Sequence, residues 1–350
     1  MSQNTDRTWI DNYFSLKFGL DANEDTQKKA DDLKSQEFKN IGHLYRYRNL
    51  KEIERLTEND KNGISPLIYL SQPFDFNDPF DTWIPVIIKR KEHPTRKYCV
   101  SKLQEFLIQP NITAISQWEE CLNDCIDTLN IEDWAEWIQS YLDVENKYLP
   151  LDTDIMRKKG IINLVNGMSK IMQLHQEFCH NAQKSYGIVC FSEIPDSILM
   201  WSHYSENHKG ICFEYDINAF SKMSHLDIVK DGLFPVRYQN DLSDLADLHM
   251  KYFNEELTKK QESSMVIKTS ISKALVWSYE REWRLIIHLT DNVLNDDRLK
   301  SLIPCGVYLG AKISPNDEKV VTEIALKYNM RIFKMRMADE KYELIADRIP

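Results

Sequence analysis

Residues 87–185 separate two sets of strand-forming segments, and this interruption restricts the folds open to the chain more than any other feature. Within the block, Trp134, Trp137 and Tyr141 recur at helical spacing, as do Ile161, Leu164, Met168, Ile171, His175 and Phe178. Before it, His43-Leu44-Tyr45-Arg46-Tyr47-Arg48 alternates aromatic and basic side chains as a strand does, and residues 67–71 read as a second strand. After it, residues 187–191 form a nearly continuous apolar run, the pattern of a central strand. Strand patterns follow at 210–215, 282–288, 307–310 and 331–335, with a short edge candidate at 235–238. Helical patterns lie at 197–204, 242–276 and 316–329. The chain is therefore expected to be α+β, with a mixed or antiparallel sheet core and a large helical insertion. The expected organisation is an N-terminal helical extension and linker over 1–40, a core from 41–86 plus 186–350, and the insertion at 87–185.

Charge follows the same division. The chain carries 44 Lys plus Arg against 54 Asp plus Glu, a net charge of −10. Residues 118–154 hold eleven acids and one base, so the whole surplus sits in that block and the remainder is neutral. A basic coat for nucleic acid is excluded, and the acidic helices are candidates for docking a basic protein partner. Nucleic acid is expected only as a modified target. No run approaches the roughly 18 apolar residues of a membrane span. The N-terminus MSQNTDRTWIDNYF has neither a basic start nor an apolar stretch. The expected location is cytoplasmic. Seven cysteines in such a chain read as reduced and buried. Cys121 and Cys125, with Cys179 and His180, lie in apolar helical patterns and favour packing over zinc, so no metal is predicted.

Four segments carry residues suited to chemistry. In the strand beginning at Glu282, period-two alternation places Glu282 and Arg284 on one face and Trp283, Leu285 and Ile287 on the core face, with Glu280 just before the strand. A carboxylate anchored there can orient a hydroxyl or act as a general base, whereas a plain surface ion pair is the structural alternative. Ser192 closes the central strand, where it either serves a site or caps the next helix. Trp201-Ser202-His203-Tyr204 and His208-Lys209-Gly210 place two imidazoles within six positions. These can contact phosphate or carry protons, or they can lock the helix onto the sheet. Phe76-Asn77-Asp78-Pro79-Phe80-Asp81 is a turn in which Asn77 could also meet a ribose.

Taken in order, residues 44–48, 77–80, 191–193, 201–210 and 277–284 resemble the bacterial domain of unknown function family 2971, over about residues 43–312. That resemblance implies no assigned activity. A weaker similarity is to ADP-ribosyltransferases, in the order of Arg46, Ser192 and Glu280-x-Glu282. It implies NAD as a substrate, with Glu282, Glu280, Ser192 and His203 as catalytic residues. Arg46, Tyr45, Tyr47, Asn77, Trp201, Tyr204, His208 and Arg284 would bind a nucleotide-like ligand, Arg46 at the pyrophosphate or ribose. The expected function is thus an NAD-using ADP-ribosyltransferase-like effector of toxin or phage-defence type. The alternatives are a metal-dependent nuclease using Asp78, Glu193, His203 and Glu282, or a non-enzymatic binding module.

Overall fold

The computed structural model describes residues 7–19, 22–51, 70–82, 177, 180–181, 183–216, 232–242, 259–289 and 303–349. The chain divides into two compact units. One comprises Met1–Trp83, Gln183–Asp241 and Ile267–Pro350, and the other Ile84–Ala182 and Leu242–Val266. The acidic block at 118–154 and Cys99, Cys121, Cys125 and Cys179 lie outside the described residues.

The first unit is built on an eight-stranded sheet. Its strands are β1 (His43–Arg48), β2 (Tyr186–Ser192), β3 (Ile211–Asp216), β4 (Leu233–Pro235), β7 (Glu282–His288), β8 (Gly306–Leu309), β9 (Arg331–Met337) and β10 (Leu344–Ile349). A small parallel pair, β5 (Arg237–Gln239) and β6 (Ser272–Ala274), forms a separate sheet. The large sheet runs β10-β9-β8-β3-β1-β2-β7-β4, and every pairing is antiparallel except β8 with β9. That parallel step is bridged by helix α5 (Pro315–Lys327), started by Pro315 at its first turn and by Ser314, whose side chain accepts from Asp317 N–H. The fold class is α+β, as the patterning predicts.

Strand parity sorts the side chains into two layers. On one face Leu44, Val189, Phe191, Phe213, Tyr215, Trp283 and Leu285 form the main core. Helices α1 (Trp9–Phe18), α2 (Glu24–Ile41) and α5 supply Trp9, Phe38, Val321 and Ala325 to it. Residues 21–40, so polar that they read as linker or solvated helix, are largely α2: Asn23 and Thr26 close a capping box, and Ala30 and Lys34 are buried. On the other face Tyr47, Met200, Trp201, Cys212 and Tyr308 make a smaller cluster under helix α3 (Ile198–Tyr204).

Three details differ from the sequence expectation. Of the helix expected over 242–276, residues 243–258 lie outside the described residues, and the described part ends earlier than expected: α4 (Lys259–Ser270) is followed by β6 and a 3-10 turn at Leu275–Glu280. The edge segment near 235 is two strands in different sheets, β4 and β5. Strand β10 carries too many charged residues to announce itself, yet it pairs along its whole length with β9. Among the described residues no helix is long and apolar enough to cross a membrane.

Candidate functional site

The three segments that carry Arg46, Ser192 and Glu280-x-Glu282 meet on neighbouring strands: β1 lies beside β2, and β2 beside β7. Their register sets Tyr45 opposite Ser192, and Ser192 opposite Glu282, in one row across the sheet. This row forms part of the floor of a cavity of about 350 Å³ on the α3 face. Tyr45, Tyr47, Asn77, Ser192, His203, Tyr204, Glu280 and Glu282 all line it. Arg48, Cys190 and Lys273 line it as well.

Parity takes Arg46 elsewhere. It is opposite Phe213, between Leu44 and Arg48 on the core face, and its charge acts on Tyr215. The expectation that Arg46 holds a ligand in the cleft is therefore corrected, because one residue along a strand reverses the side chain. Tyr215 is raised to about 12 by burial, against the opposing pull of Arg46.

Glu282 and Arg284 share a face as expected, but they are buried rather than a surface pair, 4% and 0% exposed. Arg284 Nε and Nη2 donate to the two Glu282 oxygens, each at 2.9 Å. Its Nη1 and Nη2 grip Asp81 at 2.6 and 2.7 Å, and Nη1 also donates to the Ser270 carbonyl at 2.7 Å. All five guanidinium hydrogens are thereby used, and the Phe76 ring lies 5.0 Å from its carbon. Arg284 has nothing left to offer an anionic ligand, which corrects its assignment to cofactor binding. The Asn-Asp-Pro-Phe turn has a structural purpose: Asp78 accepts Phe80 N–H, and the turn delivers Asp81 to Arg284.

Lys273 stands at the centre of the carboxylates. Its Nζ lies 2.5 Å from Glu280 Oε2, 3.3 Å from Glu282 Oε2 and 3.4 Å from Asp81 Oδ2. Burial opposes its charge, but Glu282, Asp81 and Glu280 more than offset this and hold it protonated well above the ordinary range. The two glutamates diverge. Burial would raise Glu282, yet Arg284 and Lys273 hold its carboxyl far below the usual range. Glu280 is raised to about 6 by burial and by the Glu282 charge, against the pull of Lys273 and Tyr204. With two cations against three carboxylates, Glu280 is the carboxyl that takes up a proton as pH falls toward 6.

Acceptor capacity separates the pair further. A carboxylate has about four acceptor positions. Glu282 receives two bonds from Arg284, one from Lys273 and one from the Cys190 thiol. Glu280 receives only Tyr204 OH at 2.6 Å and Lys273, so it has fewer donors than Glu282, and it lines the cavity. Ser192 Oγ donates to the Glu280 carbonyl at 2.7 Å and accepts Ile194 N–H at 3.3 Å, holding the loop that carries Glu280.

The aromatic-histidine motif is mostly architectural. Trp201 is buried, donates Nε1–H to the Pro195 carbonyl, and meets Tyr47 edge-on at 5.4 Å. His208 stacks on Trp201 and shares a hydrogen bond with Ser202. Neither Trp201 nor His208 lines the cavity, which corrects their assignment as ligand contacts. Glu206, Asn207 and His208 are successive left-handed residues with φ of 49, 55 and 70°. They swing the chain back so that Gly210 can pass against the Arg48 carbonyl, where a Cβ would collide. The nuclease set is not assembled: Glu193 is taken by Trp283 Nε1 at 2.9 Å and Arg281 Nε at 2.8 Å, and Asp78 by its own turn.

Residues 200–285 match the model of the DUF2971 family, a protein family of unknown function. The matched segment runs from α3 to Leu285 in β7, and so contains Tyr204, Lys273, Glu280, Glu282 and Arg284. Neither the curated proteins nor the solved structures give a significant match to the chain. Lys273 had no sequence signal, since a lone lysine before an aromatic turn looks solvated. Asp81 was visible only as part of a turn.

Proposed function

We propose that the cavity binds NAD and that the protein transfers ADP-ribose from it, with Glu280 as the reacting carboxylate. The observation that carries this reading is the divergence of Glu280 and Glu282 in one aromatic-walled pocket. Glycosyl chemistry needs one carboxylate kept charged and another that exchanges a proton near neutral pH. Glu282, saturated by its partners, supplies fixed negative charge under the site. Glu280, with fewer donors and lining the cavity, is the one to accept from a ribose hydroxyl or from the incoming nucleophile. In the step, the bond from nicotinamide nitrogen to ribose C1′ breaks and its electron pair leaves with nicotinamide. The nucleophile bonds C1′, and its proton passes to ionised Glu280. Tyr45 and Tyr47 offer faces and edges for the nicotinamide ring.

The test is incubation of the purified protein and a cell lysate with adenine-labelled NAD, following both label transfer and nicotinamide release. Wild type is expected to release nicotinamide and Glu280→Gln to lose at least about 100-fold, the scale of general acid-base assistance. Calorimetry of both proteins with NAD separates binding from turnover. Wild type that neither binds nor consumes NAD overturns the proposal. Binding without turnover leaves a nucleotide-binding module in place of an enzyme.

A further inference from the structure

A second cluster lies on the cavity face, farther across the sheet, and apart from Tyr45 at its edge the proposed NAD chemistry makes no use of it. Tyr45, Glu214, Gly306 and Arg331 form a row across β1, β3, β8 and β9. His43, two residues before Tyr45 on the same face, and Cys305, just before β8, complete the group. The Nε2, carboxylate and Sγ atoms of His43, Glu214 and Cys305 all lie within 4.8 Å of one another. His43 Nε2 is 3.8 Å from Glu214 Oε1. Ligands bound tetrahedrally at about 2.0–2.3 Å are separated by roughly 3.3–3.8 Å, so small side-chain rotations suffice to close the group on one ion.

Glu214 gives the independent indication. Its side chain is only 4% exposed, and Oε2 is buried without a hydrogen bond. A buried carboxylate oxygen left in that condition is costly unless a cation faces it. Gly306 makes the room: a Cβ there would collide with Oε2. The cation now opposite is Arg331, whose Nη2 is 3.0 Å from Glu214 Oε2 and 3.5 Å from both Cys305 Sγ and His43 Nε2. A single guanidinium nitrogen thus faces all three ligand types. The Arg331 side chain is 41% exposed, so it can turn into solvent without unpacking the core. Cys305 cannot drift, because its N–H donates to the Glu214 carbonyl at 2.8 Å and its carbonyl accepts Arg331 N–H at 2.9 Å.

We propose that His43, Glu214 and Cys305 form a binding site for a divalent ion of zinc type, which displaces the Arg331 side chain from the position it fills. Nitrogen, carboxylate and thiolate together suit a borderline-soft ion and not magnesium or calcium. Binding releases the thiol proton, and three protein ligands leave a fourth position for water or a small ligand.

The full-length protein, stripped with chelator, is titrated with Zn²⁺ by calorimetry and with Co²⁺ by absorption. Wild type is expected to bind one ion, with Co²⁺ giving a thiolate charge-transfer band. Cys305→Ser is expected to lose that band and to weaken Zn²⁺ by at least about 10-fold, since losing a ligand costs no less than losing an outer-shell partner. Arg331→Met is expected to bind several-fold more tightly, a gain that misfolding cannot mimic. Absence of the Co²⁺ band from both wild type and Arg331→Met overturns the proposal, as does a band that survives Cys305→Ser.

Discussion

Glu280 and Glu282 are two residues apart in sequence and chemically opposite in the fold. The difference comes from neighbours that no local pattern announces: Arg284, itself held by Asp81, belongs to Glu282, Tyr204 to Glu280, and Lys273 to both. One consequence is a pH-dependent stability. Glu280 titrates near 6 in the folded chain against an ordinary 4.5, so between those values the folded state holds a proton the unfolded state has released. Stability from this group is therefore greatest below pH 4.5 and declines as pH rises through 6. Glu282 acts in the opposite sense, its contribution present above pH 4.5 and lost on acidification below it. Glu280→Gln is expected to abolish the decline between pH 4.5 and 6, as read by urea midpoints at both pH values. An unchanged difference from wild type would refute the assignment. The Glu282–Arg284 pair was legible from alternation alone. Its burial was not, because alternation gives a face and says nothing of what covers it.

The strands most readily read were those whose two faces differ in polarity or are both apolar, β1, β2 and β7. The helix α5 was equally plain from its apolar spacing. Strand β10 escaped because Asp347 and Arg348 interrupt its pattern, and its stability comes from six paired residues on β9. The return from α3 into β3 is the element where sequence and geometry meet most tightly. Gly310 N–H donates to the Gly210 carbonyl at 2.9 Å, and Lys312 N–H to the His208 carbonyl at 2.9 Å. A Cβ at Gly310 would strike the His208 carbonyl oxygen, which is backbone and cannot rotate away. Gly310→Ala is expected to cost about 1–3 kcal/mol in chemical denaturation, the usual scale of an overpacked site. A neutral result would mean that the two segments can separate without loss.

Across the sheet-bearing unit, the N-terminal helices behave as part of the core. Trp283 of β7 packs against Trp9 at 6.0 Å and Phe38 at 5.5 Å between ring centres. Arg7 donates to the Val236 and Glu282 carbonyls, and Lys34 to that of Leu233. Deletion of residues 1–41 is expected to expose the back of β7, seen as dye binding and a lowered unfolding midpoint. Retention of the wild-type midpoint would show that the helices are dispensable. Hydropathy period and charge distribution, which depend only on neighbours along the chain, were enough to read out the α+β class and the location of the −10 charge. Which carboxylate titrates near neutrality, which arginine is consumed and which cysteine meets a histidine depend on strand register and burial. Those arise from contacts between segments far apart in sequence, such as Asp81 with Arg284 or His43 with Cys305, so they exist only once the sheet has closed.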